Sequence, residues 1–132
     1  MKPNRVVIGV GSNIGAEENI ALTKEAIESA HELVKASSFV KTEPFGFEDQ
    51  NEFTNGAYLI NTEMDPGELK TWLKNLENKL GRVKTGNKNG PRTIDLDILV
   101  WNGVVVDNDV IERDFVMKSV KELLPELEIG PS

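Results

Sequence analysis

The chain of 132 residues contains no cysteine, which excludes a disulfide framework, a thiolate metal site and a thiol nucleophile. It has a single histidine, His31, so serine–histidine–aspartate triads and histidine-based metal centres lack their parts. Basic residues are also short, 15 against 22 acidic ones, for a formal charge of −7. That balance opposes a general nucleic-acid binder, whose phosphate contacts need a basic face. No apolar run is long enough to span a bilayer, and the opening Met1-Lys2-Pro3-Asn4-Arg5 carries no signal-type stretch. No phosphate-cradling G-x-x-x-x-G-K-[ST] loop is present, so phosphate recognition would fall to side chains and metals. The expectation is one cytoplasmic domain over 1–132, long enough to bury a core and without a membrane partner.

What remains has a readable order. Val6 to Val10 is a β-branched run ended by Gly11-Ser12-Asn13, the pattern of a buried strand. Glu17 to about Lys35 predicts a helix, with Ile20, Ala26, Ile27, Ala30, Leu33 and Val34 on one stripe. His31 falls on this helix and reads as a surface or half-buried residue. Strands are predicted over Ser37 to Thr42 and Phe53 to Thr62. Asp65, Pro66 and Glu68 then mark a helix start, Leu69, Trp72, Leu73, Leu76 and Leu80 its core stripe, and Gly81 its end. Val104 to Val106 with Val110-Ile111 suggests a small hairpin, and Met117 to Leu124 a last helix. The order predicts an α+β fold, a ferredoxin-like β-α-β-β-α-β sandwich with a short C-terminal hairpin and helix.

The segment from Gly90 to Val100, GPRTIDLDILV, carries the most chemistry. At strand period, Ile94, Leu96, Ile98 and Val100 form one apolar face and Thr93, Asp95 and Asp97 the other. Aspartate is a poor strand former, and these two stand roughly 7 Å apart, two strand rises. Such a pair suits Mg²⁺ shared with a phosphate chain, since that ion takes one or two carboxylates and fills its shell with water or phosphate oxygens. The plain alternative is a strand with one solvated face.

Two loops bear on the choice. Residues Gly81 to Arg92 hold four cations and three glycines beside the aspartates, in an acidic protein. A basic loop there can close over a triphosphate, although a plain solvated loop would show the same charges. Thr42-Glu43-Pro44-Phe45-Gly46-Phe47 is aromatic for an exposed segment. With Phe53 and Asn55 it can cover a flat heterocycle, Phe53 stacking and Asn55 reading the edge. Alternatively, the phenylalanines plug the sheet. Gly9-Val10-Gly11-Ser12-Asn13-Ile14-Gly15 has its last glycine one place late for a dinucleotide fingerprint and reads as a tight turn able to line a site.

Together, five segments resemble the 6-hydroxymethyl-7,8-dihydropterin pyrophosphokinase family of folate biosynthesis. They are Gly11-Ser12-Asn13-Ile14-Gly15; Thr42-Glu43-Pro44 with Gly46; Phe53-Thr54-Asn55; Glu77 through Gly81-Arg82; and Gly90-Pro91-Arg92-Thr93-Ile94-Asp95-Leu96-Asp97. The resemblance implies transfer of pyrophosphate from ATP to the pterin hydroxymethyl group, releasing AMP. Two Mg²⁺ would sit on Asp95 and Asp97, with Arg82, Arg92 and Asp97 as catalytic residues. Thr42, Pro44, Phe45, Gly46, Phe53, Asn55 and Phe115 would bind the pterin. Lys74, Glu77, Arg82, Lys84, Arg92, Ile98 and Arg113 would bind the nucleotide.

The chain departs from the family pattern in three places. Asn89 stands where Trp is common, and Lys84 where Arg is common, which loses the planar fork. The usual Pro-His segment before Arg113-Asp114-Phe115-Val116 is absent. These departures open a second reading, a pterin- or nucleotide-binding module with little or no turnover. A third, RNA binding on the sheet, meets carboxylates where stacking aromatics are needed.

Overall fold

A computed structural model describes residues 3–12, 16–42, 53–82 and 94–127. Strand β1 (Asn4–Ser12) lies at the centre of an antiparallel sheet, which explains its unbroken apolar run: Val6, Val7 and Ile8 are fully buried, and both faces are covered. On one side β1 pairs β4 (Phe53–Thr62), and on the other β5 (Asp95–Trp101). The outer edge of β4 is shared by two short strands, β2 (Glu32–Ala36) and β3 (Val40–Thr42). Strand β6 (Val104–Val105) extends the sheet beyond β5.

Helix α1 (Ala16–Ala30) follows β1, and helix α2 (Pro66–Glu77) connects β4 to β5. Both cover one face. Ile27, Leu69, Leu73 and Leu76 pack there on Val6, Ile8, Val10, Ile60 and Leu96. With β2 and β3 counted as one interrupted strand, the order is the ferredoxin-like β-α-β-β-α-β predicted above. The α2 start is also as predicted: Asp65 Oδ1 accepts from the Glu68 amide at 2.8 Å, and Glu68 Oε1 accepts from the Asp65 amide at 3.1 Å. Helix α2 runs on into a π-helical turn, Asn78–Arg82.

Five expectations need correction. The first helix stops at Ala30, and Leu33 and Val34 belong to β2. Leu33 reaches the core equally well from a strand paired to Ile60, so tertiary pairing overrides the helical stripe. The predicted strand 37–42 is broken at Ser37, whose Oγ accepts from the Ala57 amide at 2.8 Å and keeps β4 satisfied across the gap. The hairpin joins β5 to β6, and Val110-Ile111 lies in a short helix, α3 (Asp109–Glu112). Its turn is Asn102-Gly103, with φ of 48° and 83°, a left-handed pair that matches strand twist. The last helix, α4 (Asp114–Leu123), begins three residues before the predicted Met117.

A β-bulge supplies the fifth correction. The β1–β5 register passes from Ile8↔Ile98 to Val7↔Val100, leaving Leu99 as the extra residue. Val100 therefore leaves the Ile94-Leu96-Ile98 face and joins Leu99 on the other. There Val110, Val120 and Leu123 pack against Val7, Ala57, Leu59, Leu99 and Val100 in a second core beneath α4.

His31 is half-buried just past α1. Its Nδ1 lies 2.9 Å from Thr62 Oγ1, and its ring meets Trp72 edge-on at 4.5 Å. Burial lowers its pKa below 6.5. The unfolded chain then takes up the proton first, so folding stability falls as pH drops below 6.5. Urea midpoints measured between pH 7.5 and pH 5 should fall less steeply for His31→Phe, which keeps a ring against Trp72. An identical pH slope in the variant would contradict the assignment.

Candidate active site

The strand register builds one polar patch. Gly11 pairs Asn55 on one side and Asp95 on the other, and Gly9 pairs Ala57 and Asp97. Both aspartates thus face away from α1 and α2, on the side of the sheet that carries α4. Helix α4 covers the apolar half of that side, and Asp95 and Asp97 lie beyond its buried contacts with Leu99 and Val100. Ser12, Thr42, Phe53 and Asp95 all lie at this end of the sheet.

The floor of the patch is backbone. A methyl group at Gly11 would stand 2.8 Å from Asn55 Oδ1 and 3.9 Å from Phe53 Cδ1, so both side chains lean over the glycine. Glycine at position 11 therefore sets where the Asn55 amide rests. The Thr42 backbone pairs Phe53, while the Thr42 side chain lies outside the described residues.

Asp95 is half-buried and Asp97 exposed. The Asp97 carboxyl is nevertheless held above its ordinary pKa, chiefly by desolvation from the packing around it, then by the charges of Asp95, Asp107 and Glu77; Lys74 acts in the opposite direction. A site that penalises a carboxylate in this way is one that a cation relieves. Among the described residues, no three or more histidine, cysteine or acidic side chains form a ready-made metal cage. The donor set is a carboxylate pair on one face, which fits Mg²⁺ completed by water and phosphate oxygens rather than an all-protein cage.

The nucleotide-side residues divide. Glu77 is nearly buried, with its side chain 10% exposed; Oε1 lies 3.3 Å from Lys74 Nζ, and Oε2 accepts from the Leu96 amide at 2.7 Å. Ile98 sits on the opposite face of β5 from the aspartates, partly packed on the first core. Arg113, between α3 and α4, pairs with Asp109 at 3.5 Å. Phe115 is half-buried in the first turn of α4, on the aspartate side. Pro44, Phe45, Gly46, Lys84 and Arg92 lie outside the described residues, as does the Arg82 side chain.

Asp107 was absent from the sequence-derived set. The Asn102-Gly103 turn folds the chain back so that the Val106 amide donates to Leu99 O at 2.9 Å, and Asp107 thereby comes near Asp97. The Asn-Gly dipeptide was the signal for that hairpin.

Comparison with known proteins points one way. The family model described as 7,8-dihydro-6-hydroxymethylpterin-pyrophosphokinase matches residues 7–125. A Bacillus subtilis protein named 2-amino-4-hydroxy-6-hydroxymethyldihydropteridine pyrophosphokinase is 36% identical over 136 residues, covering 95% of this chain and 81% of its own length. A Methylorubrum extorquens protein of the same name is 35% identical over 139 residues, covering 96% and 86%. The chain also matches the Dictyostelium discoideum folic acid synthesis protein FOL1 at 32% identity over 131 residues, but spans only 20% of that protein.

Proposed function

The chain belongs to the 7,8-dihydro-6-hydroxymethylpterin-pyrophosphokinase family, and from that footing we propose how its residues divide the work. The reaction is ATP-dependent pyrophosphoryl transfer to 6-hydroxymethyl-7,8-dihydropterin in folate biosynthesis, with AMP released. The observation that carries the assignment of roles is the shared sheet face: Asp95 and Asp97 stand across Gly11 and Gly9 from Asn55, with Phe53 beside it. A carboxylate pair for the phosphate chain and an amide for a heterocycle edge are thus within one patch.

Asp95 and Asp97 would hold Mg²⁺, two ions in this reading, which when bound supplies charge neutralisation along the phosphate chain. Asn55 offers one donor and one acceptor to the pterin edge, and Phe53 one wall. Phe115 supplies the second wall, with Thr42, Pro44, Phe45 and Gly46 closing the pterin side. Asp97 is the chain's own acceptor for the hydroxyl proton. Arg82 and Arg92 stabilise charge moving onto the leaving AMP, and Lys74, Lys84 and Arg113 would contact the nucleotide, with Ile98 backing β5 from its other face. The substrates are small molecules. Nucleic acid has no role in this reading, in keeping with the charge of −7. No helix of the described residues is long and apolar enough to cross a membrane, and we place the protein in the cytoplasm, acting as a single domain.

An assay coupled to AMP formation, with ATP, Mg²⁺ and the dihydropterin alcohol, tests the reading. AMP should form only when all three are present. Tight binding of both substrates without AMP would make the chain a binding module instead.

A further inference from the structure

Among the described residues, no strand pairs with the outer edge of β5 over the stretch that carries the aspartates. Strand β6 pairs only with Val100 and Trp101, so it does not reach Leu96. Yet Leu96, the residue between Asp95 and Asp97, is itself buried in the first core and its amide faces away from β1. A buried amide with no strand partner among the described residues needs another acceptor. Glu77, the last residue of α2, provides it: Oε2 takes the Leu96 amide at 2.7 Å. The other oxygen lies 3.3 Å from Lys74, one turn back on the same helix. A charge-assisted bond of this kind is among the stronger ones available to a backbone amide.

We propose that Glu77 is a positioning residue for the metal-binding pair, acting through the Leu96 amide rather than by touching the nucleotide. The carboxylate does for β5 what a neighbouring strand would do, fixing the backbone at the one residue that separates Asp95 from Asp97. The capped, well-packed α2 is the rigid support. The two aspartates then present their carboxylates from a strand held against shifting or twisting outward at Leu96. Coordination geometry depends on such support as much as on the ligands themselves. The inference rests on the pyrophosphoryl-transfer reading above.

Glu77→Ala and Glu77→Gln separate this role from its rivals. Glutamine keeps an oxygen to accept from Leu96 but carries no charge. Three quantities are read: Mn²⁺ affinity from water-proton relaxation without nucleotide, exchange of the Leu96 amide by NMR, and KM for ATP at saturating Mg²⁺. Glu77→Ala should weaken Mn²⁺ binding about tenfold, the size of one lost hydrogen bond, and speed Leu96 exchange, with KM for ATP within about twofold of the parent. Glu77→Gln should restore most of both. If Gln weakens Mn²⁺ as much as Ala, the effect is the charge of Glu77 and the inference is wrong. It is equally wrong if Leu96 exchange rises while Mn²⁺ affinity stays put, or if KM for ATP alone rises. A parent protein that neither binds Mn²⁺ nor releases AMP would instead remove the functional reading itself.

Discussion

Asp97→Asn should reduce AMP release by about 10³-fold, roughly 4 kcal/mol of transition-state stabilisation, while leaving the fold at least as stable as the parent. Asparagine keeps the shape of the side chain and loses the charge that would hold Mg²⁺. The stability half of the expectation comes from the electrostatics of the patch. Desolvation, Asp95, Asp107 and Glu77 all raise the Asp97 pKa in the folded state. The folded chain therefore holds that proton more tightly than the unfolded one. The ionised form costs stability, and the cost appears as pH rises through the folded pKa. Removing the charge removes the cost, so the urea midpoint at pH 7.5 should be equal or higher. Asp95→Asn should lose activity to a similar degree. A variant that keeps more than about a tenth of parental turnover would show that Asp97 is not a metal ligand in the reaction. One that loses turnover together with stability would make the residue structural.

The combination of lost activity and retained stability is what separates a functional carboxylate pair from a solvated strand face, the alternative left open by the sequence. Much else was legible without coordinates. The Asp65-Pro66-Glu68 capping box marked the start of α2 because its hydrogen bonds are local. Strand β4 ran from Phe53 to Thr62 as read, since its alternation is regular. The placement of Asp95, Asp97, Phe53 and Asn55 on one face followed from strand period alone, once the order of strands was known.

The failures share a cause, in that the deciding contact was distant in sequence. Leu33 fits a helical stripe or a strand equally well, and only its pairing with Ile60 of β4 chooses. The Leu99 bulge that turns Val100 onto the second core depends on the register with β1. The bond from the Leu96 amide to Glu77, nineteen residues back, is likewise not announced by any local pattern around α2. Asp107 could be brought to Asp97 only by recognising Asn102-Gly103 as the turn. The departures at Lys84 and Asn89 fall within residues 83–93, outside the described structure. The segment without the Pro-His pattern is now seen to hold α3, with Asp107 Oδ1 accepting from the Asp109 amide at 2.9 Å. An acidic turn therefore stands near the aspartates at the point where the family pattern places a histidine.

The pterin side makes a second large and separable claim. Asn55→Ala should lower kcat/KM for the dihydropterin by about 10²-fold, near 3 kcal/mol for two hydrogen bonds, with KM for ATP little changed. Gly11→Ala should reproduce the same defect at about tenfold, although residue 11 offers no side chain to any ligand. The added methyl would meet Asn55 Oδ1 at 2.8 Å, and that oxygen is the far end of a side chain rather than backbone, so the amide moves and the backbone stays. The two changes should not add. With Asn55 already reduced to alanine, the nearest remaining side-chain contact of the new methyl is Phe53 Cδ1 at 3.9 Å, an ordinary van der Waals separation. The double variant should therefore match Asn55→Ala within experimental scatter in kcat/KM for the pterin. If the defects multiply, Gly11 acts on the site by another route, such as direct approach of its backbone to substrate. If Gly11→Ala leaves pterin kinetics untouched, the amide of Asn55 is not read by the substrate in the position the sheet gives it.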